Sequence, residues 1–352
     1  MISNSDRDDR AGDVLAVVSQ SGPTVTFFDA VSDTMLAEVE VPPEPHELCF
    51  DPTQRLLWCT NTYVSGYYHA NAGRGTQLTV IDPDARRVVD VVDLAPEHGP
   101  HGLALDPVRG RLYVSVEGSP DRPGGVVVID TSTRKALGRI DTGAPGPHWF
   151  VIDSAGEKGY ASNKEAPFVS FVDLQAGTFS TVEVPGSEGL AVSADGSELY
   201  VAAPYGSFTS CTAESSPLTG IRVIDTTNGS VLDVLSTENI VFPVCLTSAS
   251  ILLVGELRMS ADESSALGRH ARGRLSAFST ATRQRVARVE LTGKFPLTIT
   301  ASPDGHLGYV AAVTSSTVDI VDLQTWEVLN SLTIAKRGEP GAHGLAYIPR
   351  LG

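Results

Sequence analysis

Four of the eight histidines in this 352-residue chain occupy the same place in a recurring segment. The segment reads PHELCFDP at 45–52, PHGLALDP at 100–107, PHWFVIDS at 147–154 and AHGLAYIP at 342–349, which aligns His46, His101, His148 and His343. Three further copies, SEGLAVSADG, PVCLTSAS and PLTITASPDG, put Glu188, Val244 and Leu297 at that place. Neutral imidazole binds Fe, Cu, Zn and Ni, and three or four that converge make a nitrogen site that hard Ca or Mg ions do not favour. Glu188, in the same register, could add a ligand, orient an imidazole N–H or move a proton. Glu44, Glu47, Glu97 and Glu339 lie close to ring histidines in sequence and could do the same orienting. Other uses of these residues exist. A metal-free acid–base pocket, or a polar plug holding water, draws on the same side chains, because duplication alone spreads a histidine through a repeat.

The elements that must position these residues follow from the repeat itself. The aligned positions 46, 101, 148, 188, 244, 297 and 343 are separated by 55, 47, 40, 56, 53 and 46 residues. After the aligned segment comes a turn, then a second apolar run such as RLYVSV (111–116) or ELYVAA (198–203). A third run ends in Ile/Val-Asp, as in VVVID (126–130) and IRVID (221–225), and a fourth such as RVVDVVDL (87–94) closes the unit. Each run is short, β-branched and bounded by Gly, Pro, Asp or Ser, which predicts strands rather than helices. Four strands in a unit of about 50 residues, repeated around an axis, predict an all-β propeller. Residues 14–41 supply three strands without a first, and HGLAYIP at the end supplies a first strand without the rest. The C-terminal strand therefore completes the N-terminal blade and leaves no open edge. The expectation is one seven-bladed β-propeller domain over 14–352, four antiparallel strands per blade, behind a disordered polar tail at 1–13.

With LYVSVEG, LYVAAP, GYVAAV, the VIDT third strands and the SADG and SPDG turns, the chain resembles the YVTN-repeat, or YncE-like, seven-bladed propellers over residues 14–349. The resemblance implies the fold. It leaves function open, because such propellers include binding scaffolds and lactonase-like or lyase-like enzymes.

In a propeller the first strand of each blade lines the channel, so the aligned residues form a ring near one face. Read around it, four imidazoles and Glu188 make a polar arc opposite Val244 and Leu297. The links between second and third strands emerge on that same face, and four of them are long: 61–76, 117–124, 204–220 and 256–273. Long loops gathered over one end of a compact domain point to a site. Tyr63, Tyr67, Tyr68 and His69 in the first loop and Tyr205 and Phe208 in the third offer aromatic walls with polar tips for a substrate. Val244 and Leu297 would line its apolar side. Glu256 and Arg258 leave a second strand near the ring, where the carboxylate could act in catalysis and the guanidinium could clamp a substrate carboxylate.

Acidic residues outnumber basic ones 42 to 26, which disfavours nucleic acid and anionic membranes as partners. No apolar run approaches the ~20 residues that span a bilayer, and the first thirteen residues lack a secretory leader's apolar stretch. A cytoplasmic protein with a small-molecule substrate is expected. Cys49, Cys59 and Cys245 lie in strand-like runs and read as buried thiols, whereas Cys211 falls in a polar loop. The function these features predict is metal-dependent chemistry at the channel mouth: one transition-metal ion, Fe(II) first and Cu or Zn next, on His46, His101, His148 and His343. Four histidines on a propeller are similar in position to the iron site of carotenoid cleavage oxygenases, whose sequence motifs are not present here, and favour an oxidoreductase. A metal-assisted lyase, cyclase or lactonase-like hydrolase with Glu188 or a histidine as acid/base, and a non-catalytic binding propeller, are the other readings.

Overall fold

The computed structural model describes residues 10–66, 71–163, 165–203, 219–261, 268–337 and 341–351. These form seven four-stranded antiparallel sheets, and among the described residues there is no helix. The first strands of blades two to seven are Pro45–Asp51, His98–Asp106, Pro147–Ile152, Leu190–Val192, Ile240–Leu246 and Pro296–Ala301. The innermost strand of blade one is the C-terminal Ala342–Ile348, which pairs with Val14–Ser19 so that Leu15 faces Tyr347. The ring closes as its ends predict.

The Asp that ends each third strand has a local cause. Asp130, Asp173, Asp225 and Asp322 each accept a backbone N–H three residues on, a turn that stops the strand and reverses the chain. Burial then sorts the strands. Second strands such as Glu198–Ala203 are buried almost throughout, whereas fourth strands such as Thr178–Glu183 face water. The core lies between blades. Trp58, Leu78 and Val80 of blade two pack on Leu112, Val114 and Val116 of blade three. Burying each such side chain contributes roughly 1.5–3 kcal/mol.

One boundary differs from expectation. Arg10 and Asp13, assigned to the polar tail, are buried beneath the closing blade, where Asp13 accepts hydrogen bonds from the Tyr347 hydroxyl (2.6 Å) and the Arg350 N–H (2.8 Å). The aspartate that looks like tail is the latch of the seam. Residues 1–9 lie outside the described residues. No helix of the described residues is long and apolar enough to cross a membrane.

Candidate functional site

Three local devices bring the aligned histidines to the axis. First, the inner strands slip register at those residues: between Pro45 and Leu48, Pro100 and Leu103, Pro147 and Phe150, and opposite Val17 and Ser19 for His343. A bulge there turns the side chain out of the sheet and frees a backbone N–H. Second, a hydroxyl on the neighbouring strand takes up that N–H. Thr60 accepts from Glu47 N (2.9 Å), Ser115 from Gly102 N (2.8 Å) and Ser162 from Trp149 N (3.1 Å). Third, a glycine follows His101 and His343. A Cβ on Gly102 would lie 2.7 Å from the carbonyl oxygen of His148, and one on Gly344 would lie 2.4 Å from that of His46. Only glycine lets adjacent inner strands approach so closely.

The result is a continuous chain of imidazoles. Ring centroids are 3.9 Å apart for His343 and His46, 4.7 Å for His46 and His101, and 4.7 Å for His101 and His148. All four are buried. One ligand atom from each of His46, His101 and His148 lies within 4.8 Å of the other two. A tetrahedral ion with ~2.1 Å bonds needs its ligands about 3.4 Å apart, so small side-chain rotations close the set. His343 groups instead with His46 and Glu47. The four predicted ligands thus fall into two overlapping sets that share His46.

Carboxylates orient two of these rings. Glu188 meets Nδ1 of His148 at 3.1 Å, and Glu117 meets Nε2 of His101 at 3.2 Å. Glu117 also accepts from the Tyr63 hydroxyl (3.3 Å) and is paired with Arg74 Nε (2.5 Å). Burial holds the pKa of His101 down at about 4, against the pull of Glu117, so the ring is neutral as a ligand must be. Burial would also lower His148, but the charge and hydrogen bond of Glu188 outweigh it and raise its pKa. Burial would raise Glu117, yet His101 and Arg74 keep its carboxyl below the usual range. The Tyr63 phenol is pushed far up by burial and by Glu117. Nδ1 of His101 is buried with no hydrogen-bond partner among the described residues. Such an orphaned nitrogen, flanked by two more imidazoles, fits a metal ion, and the cluster could hold one.

A cavity of about 380 Å³ opens beside His101 and His148. Its walls are Tyr63, Asn71, Arg74, Glu117 and Glu165, with the turns at 118–120 and 145–147 contributing Pro120, Pro145 and Pro147. Tyr63 thus stands where a substrate wall was expected. Tyr67, Tyr68, His69, Tyr205 and Phe208, like Glu339 and Cys211, lie outside the described residues. Val244 and Leu297 are half-buried against apolar clusters and are not among the walls of this cavity, which leans over blades two to four.

Glu256 and Arg258 are engaged elsewhere. The Glu256 carboxylate, fully buried, accepts from Ser276 and from Asn239 (2.7 Å), and Arg258 pairs with Glu290. Glu97 pairs with Arg122 and Arg139, not with a histidine. Glu117 and Arg74 were missed, although Glu117 leaves its second strand just as Glu256 does. Burial pushes the thiols of Cys49, Cys59 and Cys245 up to about 12, which leaves them inert.

No protein-family model matches the chain, and no curated protein does, so the likeness to YVTN-repeat proteins rests on the motifs alone. Solved structures do match. A protein of unknown function from Desulfotomaculum acetoxidans DSM 771 superposes with a TM-score of 0.70 at 12% identity over 96% of this chain and 99% of that one. The hydrazine synthase of Kuenenia stuttgartiensis gives 0.69 at 19% identity over 89% and 93%. The dihydro-heme d1 dehydrogenase NirN, in complex with DHE, gives 0.59 at 14% over 92% of this chain and 64% of that one. Likeness at these identities establishes the propeller fold.

Proposed function

We propose that this protein is an enzyme that holds a transition-metal ion, Fe(II) or Cu, on His46, His101 and His148 and oxidises a small organic molecule in the adjoining cavity. The observation that carries the reading is the His101 ring. One of its nitrogens is fixed by Glu117 while the other is buried, without a hydrogen-bond partner among the described residues, among imidazoles. A bound Fe or Cu ion supplies one-electron and O₂ chemistry that side chains alone do not. The chain's own residues do the rest. Glu188 and Glu117 fix the orientation of two ligands and strengthen them as donors. Tyr63 stays protonated and holds the Glu117 carboxylate in place. The prolines form a stiff wall with no N–H to offer, so the substrate's body is held by contact and its polar end by Asn71 and Arg74 at the rim.

A second reading has one observation in its favour. Glu117 is the carboxylate that both touches a ring histidine and lines the cavity, so it could take a proton from a substrate in a lyase or lactonase-like reaction, with zinc polarising a carbonyl. Glu188, the acid/base first considered, is not among the cavity walls. Two of the fold's neighbours carry enzyme names, one of them a dehydrogenase, which supports oxidation by analogy only.

Elemental analysis of protein purified without a polyhistidine tag tests the proposal. At least one equivalent of Fe or Cu is expected, and the share held on His101 and His148 should vanish in a His101→Ala/His148→Ala variant. Zinc in that place would move the assignment to the lyase or hydrolase. No metal, before or after reconstitution, would sink both.

A further inference from the structure

We infer that the ring binds a second transition-metal ion, on His46, Glu47 and His343. The inference rests on the reading of the three-histidine set above and deepens it. A ligand atom from each of these three buried residues lies within 4.8 Å of the other two. Two imidazoles and a carboxylate are a donor set suited to Fe(II), and Cu accepts it as well.

The three histidine–carboxylate pairs of the ring are not alike. His101–Glu117 and His148–Glu188 are hydrogen bonds of 3.2 and 3.1 Å. Nδ1 of His343 and Oε1 of Glu47 are also 3.1 Å apart, yet that nitrogen is buried and makes no hydrogen bond among the described residues. Neighbouring ligands of one ion with ~2.1 Å bonds stand about 3.0–3.4 Å apart, with both lone pairs aimed at the ion and no proton between them. The His343–Glu47 pair has that separation. It also sits on rigid backbone: Glu47 N is held by Thr60, and Gly344 packs its strand directly on the backbone of His46 and Glu47.

His46 belongs to both sets and carries a nitrogen on each edge of its ring. Holding both ions would take one ring edge for each, with the N–H proton of His46 released to solvent. The charges are compatible. Glu47, Glu117, Glu188 and a bridging imidazolate, set against Arg74, give −3, which two divalent ions bring to +1.

The test is titration of untagged, metal-stripped protein with Cu(II), followed by elemental analysis and electron paramagnetic resonance. Two equivalents are expected, with the spectrum of isolated Cu(II) replaced by that of an exchange-coupled pair. Glu47→Gln and, separately, His343→Ala should each retain one equivalent and regain the isolated-ion spectrum, and so should His101→Ala/His148→Ala. Unchanged melting of the Glu47→Gln protein shows that its loss is not unfolding. One equivalent in the wild type, indifferent to Glu47→Gln and His343→Ala, would overturn the second ion and leave the three-histidine set intact. One equivalent that survives loss of His101 and His148 would overturn the first set. No uptake would overturn both.

Discussion

Glu188→Gln removes a charge and keeps a shape. Glu188 is only 3% exposed, its backbone N–H is held by Ala202, and its carboxylate meets His148 at 3.1 Å. The chain path therefore does not depend on the carboxylate, and the substitution acts on His148. Losing the partner that orients a ligating histidine costs about 10–100-fold in metal affinity, or ~1.4–2.7 kcal/mol. This pair is buried, so water does not make up for the lost negative charge and the upper part of that range, about 30–100-fold, is expected. A competition titration against a chromophoric chelator at pH 8.5 reads it directly. The gap should narrow at lower pH. Glu188 raises the pKa of wild-type His148 against the opposing effect of burial, so protons compete with metal there. In the variant burial is opposed only by the charges of Glu47 and Glu117, the pKa falls, and that competition fades. Metal-free protein gives an independent sign. A raised folded-state pKa means wild-type His148 contributes stability below its unfolded value of ~6.5 that is lost as pH rises through the folded value. In the variant the folded pKa is depressed, so stability is lost instead as pH falls below ~6.5. Melting curves at pH 5.5 and 8.5 should therefore shift in opposite directions for the two proteins. Equal metal affinity at pH 8.5 would refute the assignment of His148 as a ligand oriented by Glu188.

Gly102→Ala should destabilise the fold by about 1–3 kcal/mol in chemical denaturation and also weaken metal binding, because the new Cβ meets backbone atoms of His148 and Phe150 at 2.7 Å and drives the second and third ring histidines apart. Asp13→Ala should lower the urea midpoint by the equivalent of ~1–3 kcal/mol, since it strands the buried Tyr347 hydroxyl at the seam, while leaving metal content unchanged. Glu256→Ala should likewise cost ~1–3 kcal/mol of stability, by leaving Asn239 and Ser276 without their acceptor, and should not alter metal content. A selective loss of metal in Glu256→Ala would restore it to the site.

The fold was legible because a propeller writes its period into the chain. Runs such as VVVID and LYVSV repeat with their punctuating Asp and Gly, and each has a local cause that needs no tertiary knowledge. The ring was legible for the same reason: equal register in equal blades means equal place around the axis. Three things were not. Arg10 and Asp13 look like tail because they meet Asp304 and Tyr347 respectively, about three hundred residues away. Glu256 and Glu117 leave their strands alike, yet one turns to Ser276 and Asn239 and the other to His101, a choice set by neighbours in other strands. Arg74 opens the strand Arg74–Asp82 at the end of an insertion whose length no periodicity predicts. The hydroxyls of Thr60, Ser115 and Ser162 were visible in register, but their purpose needs the bulge, and a bulge has no sequence period of its own.

The bulge also bears on how the polar residues come to occupy one arc. Blades six and seven slip register at the same place as the histidine blades, between Val241 and Val244 and between Pro296 and Thr298. The slip is thus shared by the four histidine blades and the two aliphatic ones, and among these what differs is the side chain at that place. Val244 packs against the cluster around Tyr200 and Val254, and Leu297 against the one around Phe242 and Phe295. An apolar wall on that side would lower the local dielectric and strengthen each hydrogen bond and ion contact on the other. Replacing Leu297 by a polar residue would then weaken the opposite arc without touching it. In the proposed metal site, the aliphatic blades would serve through the apolar surface they set opposite the histidines.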